Sequence, residues 1–310
     1  MESRWDNFVM SESFNGTFLQ TRNFLNYHPE GRFEDASFMM VKSGLIVAAI
    51  PGNKIAGEFV SHQGSTFGGP IISKNFYNAS RTLEIVKTMD EYFRANYKSV
   101  KLKITSETFC NAKNDLLEYV LEHEGYERHS ELSAVTPLSI DADPFENCDR
   151  ECRRVFRNAD KLNLTYREIR DDELEVFYKF LELSKAKYNT RPVHTLAELR
   201  DLKKRLPTEV FFRGVWLGEE YLSGIMTFVF SNTSTIHFQY IAADESKKKL
   251  NATAALYIYA MREAAKNGFK KFSWGISTEN GGKYLNEALF HYKESFGSEA
   301  VLNNYFIKNF

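Results

Sequence analysis

Cysteine is scarce in this chain, net charge is nearly absent, and no long hydrophobic run occurs. Three cysteines, Cys110, Cys148 and Cys152, cannot form a disulfide framework, and their odd number fits a reducing compartment. Cys148 and Cys152 stand four apart, but no second Cys or His pair lies nearby to complete a zinc site, so no metal is expected. The start, Met1 to Met10, lacks the apolar core of a signal segment, and no apolar stretch reaches membrane-spanning length. A cytoplasmic protein without a transmembrane segment is the expectation. A formal net charge of −1 gives no global attraction to nucleic acid, so a phosphate-bearing partner must be met by a local patch. No Gly-x-Ser-x-Gly is present and the cysteines lack a glycine-elbow or histidine context, which argues against a serine or cysteine hydrolase.

What is present is a chain of 310 residues, comfortable for two domains. Aromatic residues make up 15%, with 26 Phe and 16 Tyr, so ring-dense cores are expected. One order of elements recurs. Ser37 to Ile50 reads as a hairpin, followed by a strand near Glu58 to His62, a helix from Arg81 to Tyr97 and a strand Val100 to Thr105. Farther on, Glu209 to Val215 and Tyr221 to Phe230 form a second hairpin. A strand Thr235 to Ala242, a helix Ala252 to Asn267 and a strand Phe269 to Trp274 follow it. Two copies of a mixed α/β unit is the economical reading, divided near Asp141-Ala142-Asp143-Pro144 into residues 1–143 and 144–310. Helices are expected ahead of the second hairpin, from Asp171 to Tyr188 and from Leu196 to Leu206. Thr195 and Glu198 have capping-box spacing for the latter.

Lys271 to Gly297 has the layout of a site at a sheet edge. A short apolar strand carrying Trp274 stops at the polar, glycine-bearing Gly275 to Gly282, which holds Ser277 and Glu279. A helical pattern through Tyr284, Leu285, Ala288, Leu289 and Tyr292 then delivers Lys293. The same residues also suit an ordinary strand–loop–helix connection. A carboxylate such as Glu279 can take a proton from an attacking amine, and Lys293 can neutralise a phosphate or a developing negative charge. In His237-Phe238-Gln239-Tyr240 a regular strand places His237 and Gln239 on one face and Phe238 and Tyr240 on the other. His237 is either a proton relay at a cleft or a half-buried histidine satisfied by a neighbour. His62 and Gln63 open a loop rich in glycine and hydroxyls, Ser61 to Pro70, that is either a turn or a ligand loop. His194 lies in the Arg191 to Thr195 connection, near a helix start. Arg153, Arg154, Arg157 and Lys161 form a basic helix face that either holds phosphates or is balanced in solvent by nearby acids.

The order of elements, twice over, resembles the FemAB family, whose members are built from two units like the Gcn5-related N-acetyltransferases (GNAT). The likeness is sharpest in Arg153 to Lys161, Pro192-Val193-His194-Thr195, the His237 to Ala242 strand and Lys293-Glu294-Ser295-Phe296-Gly297. The chain resembles in particular a FemAB-like subgroup from bacterial surface-polysaccharide clusters, with similar motifs at Ser61, Pro192, Ser277 and Leu285. The resemblance implies two tandem GNAT-like units, each a mixed, mostly antiparallel sheet flanked by helices. It implies an acyltransferase that moves an acyl or aminoacyl group onto an amine of a cell-wall or polysaccharide precursor. The implied donor is acetyl-CoA, another acyl-CoA or aminoacyl-tRNA. The implied acceptor is a small-molecule, nucleotide-linked or lipid-linked sugar, with tRNA and a peripheral membrane contact as further partners. His237, Glu279 and Lys293 are the expected catalytic residues. His62, Gln63, His194, Gln239, Tyr240, Trp274, Ser277 and Asn286 are expected to meet substrate, and Arg153, Arg154, Arg157, Lys161 and Lys248 to meet phosphate. The segment Asp244 to Ala252 departs from the coenzyme A pyrophosphate loop, having three lysines and no glycine, which weakens coenzyme A use. Two rival readings are an acetyl-CoA-dependent amino-sugar N-acetyltransferase and a non-catalytic binding protein that retains the fold.

Overall fold

The computed structural model describes residues 2–187 and 189–310. The chain begins with helices α1 (Glu2–Asn7) and α2 (Arg22–Leu25) and strands β1 (Phe38–Lys42), β2 (Leu45–Ile50), β3 (Gly52–Ile55), β4 (Glu58–Ser61) and β5 (Ile71–Ile72). Helix α3 (Ala79–Asn96), β6 (Ser99–Lys103), α4 (Asp115–His123) and β7 (Glu127–Pro137) follow. Next come α5 (Arg150–Asp160), β8 (Thr165–Glu168), α6 (Leu174–Ala186), α7 (Leu196–Arg205), β9 (Val210–Leu217), β10 (Glu220–Phe230) and β11 (Thr235–Ala243). The chain closes with α8 (Ala252–Lys266), β12 (Lys271–Ile276), the short pair β13 (Thr278–Glu279) and β14 (Tyr284–Leu285), α9 (Glu287–Glu294) and β15 (Glu299–Asn309). Tyr188, the expected end of the helix at α6, lies outside the described residues.

Two compact units result. One comprises Met1–Leu132, Thr278–Tyr284 and Leu302–Phe310; the other comprises Ser133–Ser277 and Leu285–Val301. A single division after residue 143 does not describe them, because β7 begins in one and ends in the other, and the last strand returns to the first unit. There, β15 pairs antiparallel with β6, Tyr305 opposite Lys103. The first unit's sheet continues through β4, parallel to β6, and β3, while its hairpin β1–β2 forms a separate small sheet with β5. Asn78 caps α3, and Ile85, Val86, Met89 and Phe93 recur at spacings of one, three and four, so one stripe of that helix is buried against the sheet.

In the second unit the strand order is β7-β12-β11-β10-β9-β8, with β11 and β12 parallel and the other neighbours antiparallel. Strand β10 is buried along Tyr221 to Phe230, since α6 packs on one of its faces and α8 on the other. That double cover explains why its sequence shows no alternation. Helix α8 is nearly all buried and rich in alanine, which lets it lie close to both the sheet and α5. The Thr195–Glu198 capping box forms as the sequence predicts, each side chain accepting from the other residue's backbone N–H.

Candidate active site

The geometry of the site begins in a ladder that stops. Strands β11 and β12 pair through Thr235–Lys271, Ile236–Phe272 and His237–Ser273. Among the described residues no strand pairs with β11 on that side beyond His237. Each strand bulges just past this last rung. On β11 the partner of Met226 is Tyr240 and that of Thr227 is Phe238, so Gln239 is the extra residue. On β12 Ser273 faces Val135 and Gly275 faces Ala134 of β7, so Trp274 is extra. The strands part there, and backbone amides and carbonyls of β11 border the opening.

The bulge overturns the expected faces of β11. With Gln239 inserted, His237 and Tyr240 lie on one face, while Ile236, Phe238 and Ile241 lie on the other and pack into the core beneath α8. A strict period of two fails wherever an extra residue enters a strand. Tyr240 is thereby brought to His194, 46 residues away in sequence, and its hydroxyl and the His194 Nδ1 share a buried hydrogen bond of 2.6 Å. Burial pushes the Tyr240 phenol up to about 12, which keeps it protonated at neutral pH.

His237 is buried, and its Nδ1 shares a 3.0 Å hydrogen bond with Ser273 Oγ. Burial first, and the positive charge of Lys293 second, push its pKa down to about 4, so the imidazole is neutral at pH 7. Lys293, delivered by α9, is also buried and donates to Gly275 O (2.8 Å), Ile276 O (2.9 Å) and Ser277 Oγ (2.7 Å). These acceptors use all three ammonium hydrogens. No carboxylate among the described residues pairs with Lys293, and burial lowers its pKa to about 8. The turn after α9 is fixed by Asp149 N–H donating to Ser295 O. Gly297, at φ +71°, is required there, since a Cβ would lie 2.7 Å from Asn147 O.

Three expected substrate contacts have other duties. Trp274 is buried in the core against Phe238, Tyr257, Phe272 and Phe296, and its indole N–H donates to Thr136 Oγ1 at 2.9 Å. A ring of that size on a strand covered by helices goes to the core rather than the cleft. Asn286 caps α9, its Oδ1 accepting from Leu289 N–H at 3.0 Å. The cap starts α9 one turn later than the periodicity predicts, so Tyr284 and Leu285 sit in the short strand β14. Ser277 is buried and occupied by Lys293.

Glu279 is exposed on β13, a segment of the first unit, whereas His237 and Lys293 belong to the second. The basic helix α5 buries Cys152, Phe156 and Ala159 and turns its arginines outward. Arg154 pairs with Glu151, Arg153 stands 4.0 Å from Glu146, and Arg157 lies over the Phe145 ring. Lys248 is exposed in the turn between β11 and α8, whose neighbour Lys247 pairs with Glu220 at 2.8 Å. In the first unit, His62 lines a cavity of about 410 Å³ with Arg22, His28 and Asp35. Its Nδ1 accepts from Gly64 N–H at 3.2 Å, and burial, with His28 beside it, lowers its pKa to about 4. A Cβ on Gly64 would fall 1.8 Å from His28 Nε2, so this glycine admits a neighbouring ring of the protein itself. Gln63 is exposed, and its backbone N–H donates to Asn53 Oδ1 at 2.8 Å.

Ser273, which meets His237 Nδ1, is a site residue that was not among the expected ones. Its signal was a small polar residue inside an apolar strand, Phe272-Ser273-Trp274.

Residues 146–294 match the family described as "Acetyltransferase (GNAT) domain". The crystal structure of FemX is similar over 100% of this chain and 96% of its own, at 12% identity and a TM-score of 0.72. This chain has the FemAB-like, double-unit GNAT fold. The C-terminal domain of a putative lysylphosphatidylglycerol synthetase from Agrobacterium fabrum is also similar, with 11% identity, 99% and 91% coverage and a TM-score of 0.62. So is a tandem GNAT protein from the clavulanic acid biosynthesis pathway, with 11% identity, 93% and 86% coverage and a TM-score of 0.52. No curated protein matches the chain in sequence. The structural likenesses carry the fold; the domain match over residues 146–294 supports an N-acyltransferase.

Proposed function

We propose that the second unit transfers an acyl or aminoacyl group from an activated ester or thioester directly to an amine of a cell-wall or surface-polysaccharide precursor. The observation that carries this reading is the parting of β11 and β12 immediately after the His237–Ser273 rung, with the buried Lys293 ammonium holding the exit of β12. The open edge of β11 offers backbone N–H groups to the donor carbonyl, and holding donor and amine together supplies much of the acceleration. Lys293 contributes positive charge that no described carboxylate cancels, which favours the oxyanion that forms on amine attack. A pKa near 4 makes His237 a poor resting base; it acts as a neutral hydrogen-bonding group that orients Ser273 and water at the opening. Water at the opening takes the amine proton, and the departing thiolate or alkoxide of the donor takes one from solvent. Arg153, Arg154, Arg157, Lys161 and Lys248 draw in donor phosphates; the His62 cavity is a ligand-sized opening of the first unit by itself.

Acyl-CoA is the donor that the domain match favours, with aminoacyl-tRNA as the other class. The name of the lysylphosphatidylglycerol synthetase relative brings a lipid-linked acceptor into consideration beside a nucleotide-linked one. No helix among the described residues is long and apolar enough to cross a membrane. Calorimetric titration with acetyl-CoA, followed by transfer of labelled acetyl or aminoacyl groups to UDP-linked and polyprenyl-linked amino sugars, tests the reading. Labelled amide product supports it. Absence of transfer from both donor classes to both acceptor classes leaves the binding-protein reading in its place.

A further inference from the structure

On the face of the second unit's sheet opposite His237, a cavity of about 290 Å³ lies beneath the last two turns of α8. It exists because α8 presents Ala260 and Ala264 where larger side chains would reach β10. Phe211, Phe269, Phe272 and Ile225 give it an aromatic and aliphatic part beside its polar and charged residues. Thr208, Ser231 and Asn267 stand at its exposed rim, and the buried polar side chain without a partner among the described residues is Thr227. Thr227 is 7% exposed and lines the cavity, yet its hydroxyl makes no hydrogen bond to any described residue. A hydroxyl that faces a cavity without a protein partner is open to water or to a ligand group.

The charged part of the wall is already satisfied. Glu263 accepts from Arg213 Nε and Nη2 at 3.0 to 3.1 Å and from the Tyr166 hydroxyl at 2.5 Å. A charged ligand would have to break this pairing, which favours a neutral one. We propose that this cavity is a second ligand site, separate from the transferase opening, for a small neutral aromatic molecule carrying one hydrogen-bonding group that reaches Thr227. The phenyl walls select a flat apolar body, and the volume suits one or two fused rings. Two lining residues, Ile236 and Phe272, form the rung next to His237–Ser273, so an occupant braces the strands where they part.

The test uses the full chain and 5-fluoroindole as probe, followed by fluorine NMR. Saturable broadening with the unaltered protein is expected. Thr227→Val, which keeps the shape and removes the hydroxyl, should weaken binding by about three- to tenfold. Ala264→Met, which fills the space, should abolish it while the melting curve shows a folded protein. If Ala264→Met does not fold, the isosteric Thr227→Val decides alone. No saturable binding to the unaltered protein overturns the proposal, and so does unchanged affinity in Thr227→Val or in folded Ala264→Met. None of these outcomes bears on transfer activity, so this site and the proposed function fail separately.

Discussion

Replacing Lys293 by methionine separates charge from architecture. The substitution keeps most of the stem and removes the ammonium with its three hydrogen bonds. Leaving the part-buried carbonyls of Gly275 and Ile276 and the Ser277 hydroxyl without this donor costs about 1 kcal/mol each. In the opposite direction, burial has brought the ammonium from 10.5 to about 8, and relief of that burial returns roughly 3 kcal/mol. The two nearly offset, so stability should change by no more than about 2 kcal/mol. The effect on transfer does not offset. A unit charge roughly 6 Å from a developing oxyanion, at an effective dielectric of about 20, is worth close to 3 kcal/mol, or about a hundredfold in rate. Loss of turnover between about ten- and a hundredfold is therefore expected, with a melting curve close to that of the unaltered protein. Labelled acyl transfer to an amino-sugar acceptor measures the first, and circular dichroism on heating the second. The unaltered enzyme should also lose activity above pH 8 as the ammonium deprotonates, and Lys293→Met should lack that limb. Unchanged turnover in the variant, or a flat profile from about pH 7 to 9 in the unaltered enzyme, refutes the electrostatic role.

Three further predictions follow from the same geometry. Gly297→Ala places a methyl 2.7 Å from Asn147 O at φ +71°; it should lower unfolding stability by at least about 2 kcal/mol in urea titration. Trp274→Phe should cost about 1–3 kcal/mol by loss of the Thr136 hydrogen bond and buried ring area, with the donor KM unchanged; a raised KM with unchanged stability would place the indole in the cleft after all. His237 and His62 have folded pKa values of about 4 against an ordinary 6.5. Between those values the unfolded chain binds more protons, so stability falls as pH drops from 6.5 towards 4. The loss is on the order of 3 kcal/mol per histidine, visible as a falling urea midpoint, and histidine NMR signals that titrate near 6.5 would refute it.

Much of the fold is legible in local sequence, because helix periodicity, caps and hairpins are short-range effects. The helix at α3, the Thr195–Glu198 box and the two hairpins all formed where the pattern placed them. The site was legible as a set of segments: the His237 strand, the Ser277 turn and the Lys293 helix end. Its internal arrangement was not. A bulge adds one residue to one strand and is settled by pairing with a partner far along the chain. The sequence around Gln239 therefore reads as a regular strand, and its alternation assigns Tyr240 to the wrong face. Trp274 has the composition of a cleft residue, yet core space near Tyr257 and Phe296 claims it.

By itself the sequence determined the order of elements, their approximate ends and the chemistry available at each, since these depend on neighbours a few positions away. Only tertiary structure decided which strands part after His237, which atoms receive the Lys293 hydrogens, and that the last strand pairs with β6. Those outcomes depend on hydrogen-bond partners and packing space supplied by distant segments.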